Sequence, residues 1–157
     1  MIRKFARNPL PHFVLCDRII TNIMEKQFGY GWPILLLGDM FSLLLVTLTG
    51  FASHGTIGTA GTRMLTTFVP LVVAWLLVAP HLHVFQDSVS SNWKELWRPF
   101  WAMVLAAPLA AWLRGAWLGA PILPIFVVVL GGVSALVLLA WRALYWVWRN
   151  RIGRSNG

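Results

Sequence analysis

The stretch Pro33–Gly50, PILLLGDMFSLLLVTLTG, decides the fold. Its side chains are apolar apart from Asp39 and three hydroxyls. With its neighbours it reaches the roughly 20 residues needed to cross a bilayer as a helix. A carboxylate in such a segment costs about 2.5–3.5 kcal/mol at the helix centre on insertion scales, and less towards the interface. Asp39 lies about six residues inside the segment, roughly 9 Å of helical rise. It must be protonated, paired or facing water, because its side chain is too short to reach the headgroups.

The rest of the chain repeats the pattern. Of 157 residues, 58% are hydrophobic and 11% charged, with a mean hydropathy of +0.69. A soluble domain carries roughly 25% charged residues, so there is too little charge here to cover a water-facing surface. Four windows suit membrane spans, at about 33–52, 64–83, 99–118 and 122–145. The expected fold is all-α, a polytopic membrane protein built as a four-transmembrane-helix bundle. Residues 1–32 form a cytoplasmic or interfacial segment, 33–146 the transmembrane domain, and 147–157 a basic cytoplasmic tail. The single Cys16 permits no internal disulfide. No apolar signal-peptide core precedes the first span, which is expected to serve as the uncleaved insertion signal.

Orientation follows from Lys and Arg. The N-terminal segment holds Arg3, Lys4, Arg7, Arg18 and Lys26, and the middle loop holds Lys94 and Arg98. The C-terminal end adds Arg142, Arg149, Arg151 and Arg154, while the other two connections offer only Arg63 and Arg114. Eleven against two predicts both termini and the middle loop on the cytoplasmic side. The net charge of +8 is thereby explained by membrane lipids as partners, without nucleic acid. Trp32, Trp93, Trp97, Trp101, Trp117, Trp146 and Trp148 fall near span ends, where indoles favour the interface.

Residues 12–28 place Cys16, Ile19, Ile20, Ile23 and Met24 at helical spacing, with charges opposite, and predict an N-terminal amphipathic interfacial helix. The first outer connection carries a short Gly-Thr repeat over 55–62 and reads as a flexible loop. In the middle loop, Ser91 or Asn92 is placed to cap a short helix carrying Trp93 and Trp97, and Pro99 suits the start of the third span. Gly115–Gly119 and Gly131–Ala135 have the small-x-x-x-small spacing of close helix packing. Pro70 and Pro108 interrupt the second and third spans.

The polar residues are few. Arg142 precedes Arg149 by seven residues, so it lies roughly 10 Å inside the cytoplasmic end, at the depth of Asp39. The expectation is an Asp39–Arg142 ion pair tying the first helix to the fourth. Unpaired, Asp39 would instead be a proton or cation site. Arg114, His54 and Arg63 form a candidate polar site on the outer side. His81 and His83, with Trp93, Trp97 and Trp101 recurring every four residues, are candidates for an interfacial ligand such as a pigment, quinone or haem. An interfacial belt of indoles is the preferred account of that stripe, and no cofactor and no metal site is expected.

Four features are similar to those of one family. They are Gly38-Asp39 in the first helix, SHG (Ser53–Gly55), AAWLRG (Ala110–Gly115), and PIFVVVLGGVSALVLLAWR ending at Arg142. Over about residues 35–145 the chain resembles the DUF3054 family, small four-span bacterial membrane proteins of unknown function. The N-terminal segment and the Gly-Thr repeat depart from its usual pattern. The resemblance implies a multi-pass protein of the bacterial cytoplasmic (inner) membrane and supplies no activity.

Three function classes compete. A non-enzymatic accessory or scaffold subunit of a larger membrane complex fits the aromatic faces and the N-terminal arm. A small oligomeric transporter or channel would use Asp39 as its proton or cation site. An enzyme would need clustered acid, base and nucleophile or metal ligands, and five acidic residues with scattered histidines supply none. The surroundings of Asp39 discriminate: Arg142 for a scaffold, a wet cavity for a transporter.

Overall fold

The computed structural model describes residues 21, 31–53, 61–90 and 92–155, and among these every regular element is helical. The expected amphipathic helix over 12–28 lies outside the described residues, apart from Thr21. In order come α1 (Trp32–Ser53), α2 (Gly61–Val78), a short α3 (Asp87–Ser90), a 3₁₀ turn (Trp93–Glu95), α4 (Trp97–Leu118) and α5 (Pro124–Ser155). The four long helices are long and apolar enough to cross a membrane. This is an all-α, polytopic membrane architecture.

Local chemistry sets where each helix starts and stops. Pro33 sits in the first turn of α1, where its missing N–H has no helical partner to lose. The second span ends at Val78, short of the expected residue 83. Ala79 still donates to the Trp75 carbonyl at 2.8 Å, but Pro80 has no N–H to continue the ladder. The chain then turns through His83, whose φ of 55° lies in the left-handed region that few non-glycine residues adopt. That turn sends Val84 and Phe85 back into the bundle, where both are buried.

Trp93 belongs to the 3₁₀ turn and Trp97 to α4, so the expected single short helix carrying both is not formed. Asn92 does cap the turn, its Oδ1 accepting from the Lys94 N–H at 3.1 Å. The expected Gly115–Gly119 packing pair is also replaced. Gly119 ends α4 at a φ of 59°, with its N–H donating to the Gly115 carbonyl. A Cβ on Gly115 would meet the Ala120 carbonyl oxygen at 3.1 Å, so this glycine makes room for the chain's own turn. Helix α5 has 32 residues, roughly 48 Å of rise against a hydrocarbon thickness of roughly 30 Å. The segment expected as a tail is therefore helical through Ser155.

The helices alternate in direction and pack in the cyclic order α1–α2–α4–α5. Leu35, Leu43, Leu71, Ala74, Met103 and Leu138 fill the centre, together with Val84 and Phe85 from the middle loop. The α4–α5 seam is built from small residues. Ala106, Ala107, Ala110 and Ala135 are buried, and a Cβ on Gly131 would come within 2.6 Å of the Ala107 Cβ. This is the close backbone approach that small-x-x-x-small spacing permits. Outward-facing residues such as Leu37, Phe41 and Val128 are 66–70% exposed, an apolar surface suited to lipid.

Gly131→Ala is expected to lower stability by roughly 1–3 kcal/mol through overpacking. Gly132→Ala, with nothing within 4 Å of the new methyl, is expected to be neutral or mildly stabilising. Thermal unfolding of the two variants in one detergent checks the pair.

Candidate functional site

Asp39 and Arg142 meet at the bundle end that carries the middle loop. Asp39 lies seven residues into α1 and is fully buried, and Arg142 is 3% exposed. The geometry is a bidentate fork, with Nε donating to Oδ1 at 3.0 Å and Nη2 to Oδ2 at 2.5 Å. Two parallel charge-assisted bonds are the strongest arrangement available to this pair of groups. The third guanidinium nitrogen, Nη1, donates to the Val84 carbonyl at 3.0 Å. Phe85 lies beneath the guanidinium, 5.5 Å from carbon to ring centre, in cation–π range. Trp75 of α2 lies beside the carboxylate without closing a hydrogen bond from its indole nitrogen. One buried ion pair thus collects α1, α2, α5 and the loop.

The residues immediately before the pair also meet. A Cβ on Gly38 would fall 1.9 Å from the Trp141 ring, so the indole lies directly against the α1 backbone. Gly38-Asp39 and Trp141-Arg142 therefore act as matched two-residue units, a notch with its ring and a carboxylate with its guanidinium. Further along, Gly31 makes a second notch, where a Cβ would meet the Tyr145 hydroxyl at 2.7 Å. Trp141, Tyr145 and Trp148 form a tilted aromatic row along α5, each ring 6.1 Å from the next.

Three arginines fasten the loop. Besides Arg142 on Val84, Arg149 donates to Ser90 Oγ at 3.1 Å and pairs with Asp87 at 3.5 Å. Arg98 of α4 pairs with Glu95 at 2.6 Å and reaches the Leu82 carbonyl at 3.5 Å. Beneath the loop, Ser90, Glu95, Pro99, Arg142 and Tyr145 help line a cavity of about 10 Å³. It has room for about one water and no larger ligand.

The other candidate residues do not converge. Arg114 is half-buried near the far end of α4, with its guanidinium over the Phe126 ring at 5.1 Å. Arg63 is exposed in the first turn of α2, and His54 lies outside the described residues. His81 is exposed and bonds through Nδ1 to the Leu77 carbonyl at 2.7 Å, closing the end of α2. His83 is exposed beyond it. Trp93, Trp97 and Trp101 are all more than half exposed on the outside of the bundle. Among the described residues, no group of three or more His, Cys, Asp or Glu is placed to hold a metal ion.

Residues 36–145 match the family described as Protein of unknown function (DUF3054). The chain belongs to the DUF3054 family. No curated protein and no solved structure matches it. The DUF3054 segment opens two residues before Gly38 and closes three residues after Arg142, so it contains both matched units together with Trp75, Val84 and Phe85. Gly31 and Arg149 lie outside it, and the fastening of α3 by Arg149 is an addition at its border.

Sequence reasoning missed the Val84 carbonyl, Trp75, and the Gly38–Trp141 contact. The Gly-Asp and Trp-Arg dipeptides were the available signal, since both charges arrive with a neighbour that the packing also uses.

Arg142→Gln is expected to lower stability by roughly 3–5 kcal/mol, because it leaves a carboxylate buried without counter-charge. Combining it with Asp39→Asn is expected to recover much of that loss in detergent unfolding, whereas simply additive losses would refute the coupling. Asp39→Asn alone is expected to speed amide exchange across 84–90, because Arg142 then holds Val84 from a weakened anchor. Unchanged exchange there would mean that the loop is held independently of the pair.

Proposed function

We propose that this DUF3054 protein is a non-enzymatic membrane subunit, an accessory or scaffold component of a larger complex in the bacterial cytoplasmic membrane. The observation that carries this reading is the closure of Asp39. Both of its oxygens are taken by Arg142, neither side chain is appreciably exposed, and the adjacent cavity has room for about one water. A transported proton or cation needs a carboxylate that water can reach from alternate sides. A structural role needs the opposite, a pair kept dry and geometrically fixed.

The same geometry supports the rest of the reading. An ion pair with matched packing on either side specifies helix register, the best-attested use of buried charge. Each helix turns an apolar face outward, including Leu37 and Phe41 on α1 and Val128 and Leu136 on α5, which offers surface to lipid and to neighbouring helices. Lys94, Arg98, Arg142, Arg149 and Arg151 occupy the loop end of the bundle, against Arg63 and Arg114 at the other. That bias favours the loop and both termini on the cytoplasmic side.

Purification from native membranes in mild detergent, followed by mass determination of all co-migrating species, tests the proposal. The expected result is stoichiometric association with a larger membrane complex. Recovery of the protein alone, or as a small homo-oligomer with ion flux that Asp39→Asn abolishes, would overturn it in favour of transport.

A further inference from the structure

A second charged position remains unexplained by the ion pair, and it lies at the opposite end of the bundle. Arg114 is the one charged residue between Arg98 and Arg142. No aspartate or glutamate occurs between Asp39 and Asp87, and none follows Glu95. The connection between α1 and α2 and the turn between α4 and α5 therefore contain no carboxylate, whatever shape they take. Among the described residues, no carboxylate stands at this end to neutralise Arg114.

The local geometry sharpens the problem. Arg114 is half-buried, and its Nε is buried with no hydrogen-bond partner among the described residues. Its guanidinium rests on the Phe126 ring, which satisfies charge but accepts no N–H in the guanidinium plane. Five residues separate Arg114 from Gly119, where α4 ends, or roughly 7 Å of rise. A side chain of this length reaches the hydrocarbon boundary from there. Trp117, one turn nearer the end, is exposed at the level where indoles meet headgroups. Around it Ile122, Leu123 and Ile125 are exposed and apolar.

We infer that Arg114 is a lipid-binding residue, and that its guanidinium holds the phosphate of a phospholipid headgroup while the acyl chains lie against the exposed apolar residues of the α4–α5 turn. A planar fork of N–H donors matches phosphate oxygens in pairs. A free phosphate offers the same oxygens but gains nothing from Ile122, Leu123 and Ile125. The headgroup supplies both halves of the match. This inference concerns a site at the far end from Asp39 and stands apart from the accessory-subunit proposal.

The test uses the full-length protein in detergent with a phosphatidylglycerol carrying a photoactivatable headgroup, followed by peptide mapping. Labelling is expected across residues 112–126, falling roughly tenfold or more in Arg114→Met, as loss of a charge-assisted bidentate contact implies. Unlabelled phosphatidylglycerol is expected to compete, and inorganic phosphate and a diacylglycerol of the same chains are not. Labelling at the opposite, arginine-rich end is expected to persist in the variant and reports that it is folded. Arg114→Lys, which keeps the charge and loses the fork, is expected to give intermediate labelling. Undiminished labelling in Arg114→Met overturns the site. Competition by inorganic phosphate overturns the lipid in favour of a free anion, and competition by diacylglycerol overturns the phosphate contact.

Discussion

The cost of keeping a carboxylate inside an apolar helix organises this protein. Asp39 has no exposure and no route to the headgroups, so every oxygen must be met from within the bundle. Arg142 meets both, and because a guanidinium carries more donors than a carboxylate can take, its remaining nitrogen needs a partner as well. The Val84 carbonyl fills that need. The conformation of a loop is thus tied to a charge in the first helix.

The neighbouring contacts make sense as consequences of holding that fork still. Bidentate geometry tolerates little rotation or sliding of α1 against α5. Gly38 lets Trp141 lie on the α1 backbone, and Gly31 does the same for Tyr145, so two notches set the spacing while the ion pair sets the register. The loop fills the bundle end with Val84 and Phe85, excluding the water that would weaken the electrostatic attraction. At the α4–α5 seam the same closeness is reached without any charge, by alanine and glycine alone.

Much of this was legible in the sequence, for definite reasons. Hydropathy and length mark four spans because a bilayer imposes both. Asp39 and Arg142 stand out because each interrupts an apolar run, and each lies six or seven residues inside the end of its run, which implies similar depth. The end of α2 was less legible, since Ala79 and Leu82 continue the hydropathy while Pro80 breaks the ladder between them. The spacing of Trp93 and Trp97 suggested one helix, yet local capping by Asn92 closes a separate turn. The Gly115–Gly119 spacing resembles a packing motif, but glycine also serves where a helix must stop, and spacing alone does not separate the two uses. The arginine contacts to loop carbonyls leave no trace, because every residue has a carbonyl. Asp87 and Arg149 each look like ordinary solvated charges until the loop folds down and α5 extends to meet it.

The partners of the ion pair are 103 residues apart, and this has a consequence for how the protein is made. At roughly 5–20 residues per second, the ribosome needs about 5–20 seconds to follow Asp39 with Arg142. For that interval the first helix must wait at the interface, carry its carboxyl protonated, or sit in the membrane with the charge uncompensated. A helix synthesised 103 residues later is the one that makes the first helix comfortable in lipid. Assembly of the bundle is therefore bound to synthesis of α5, and a product truncated before that helix exposes the very residue by which a quality-control protease in the membrane could tell it from the assembled bundle.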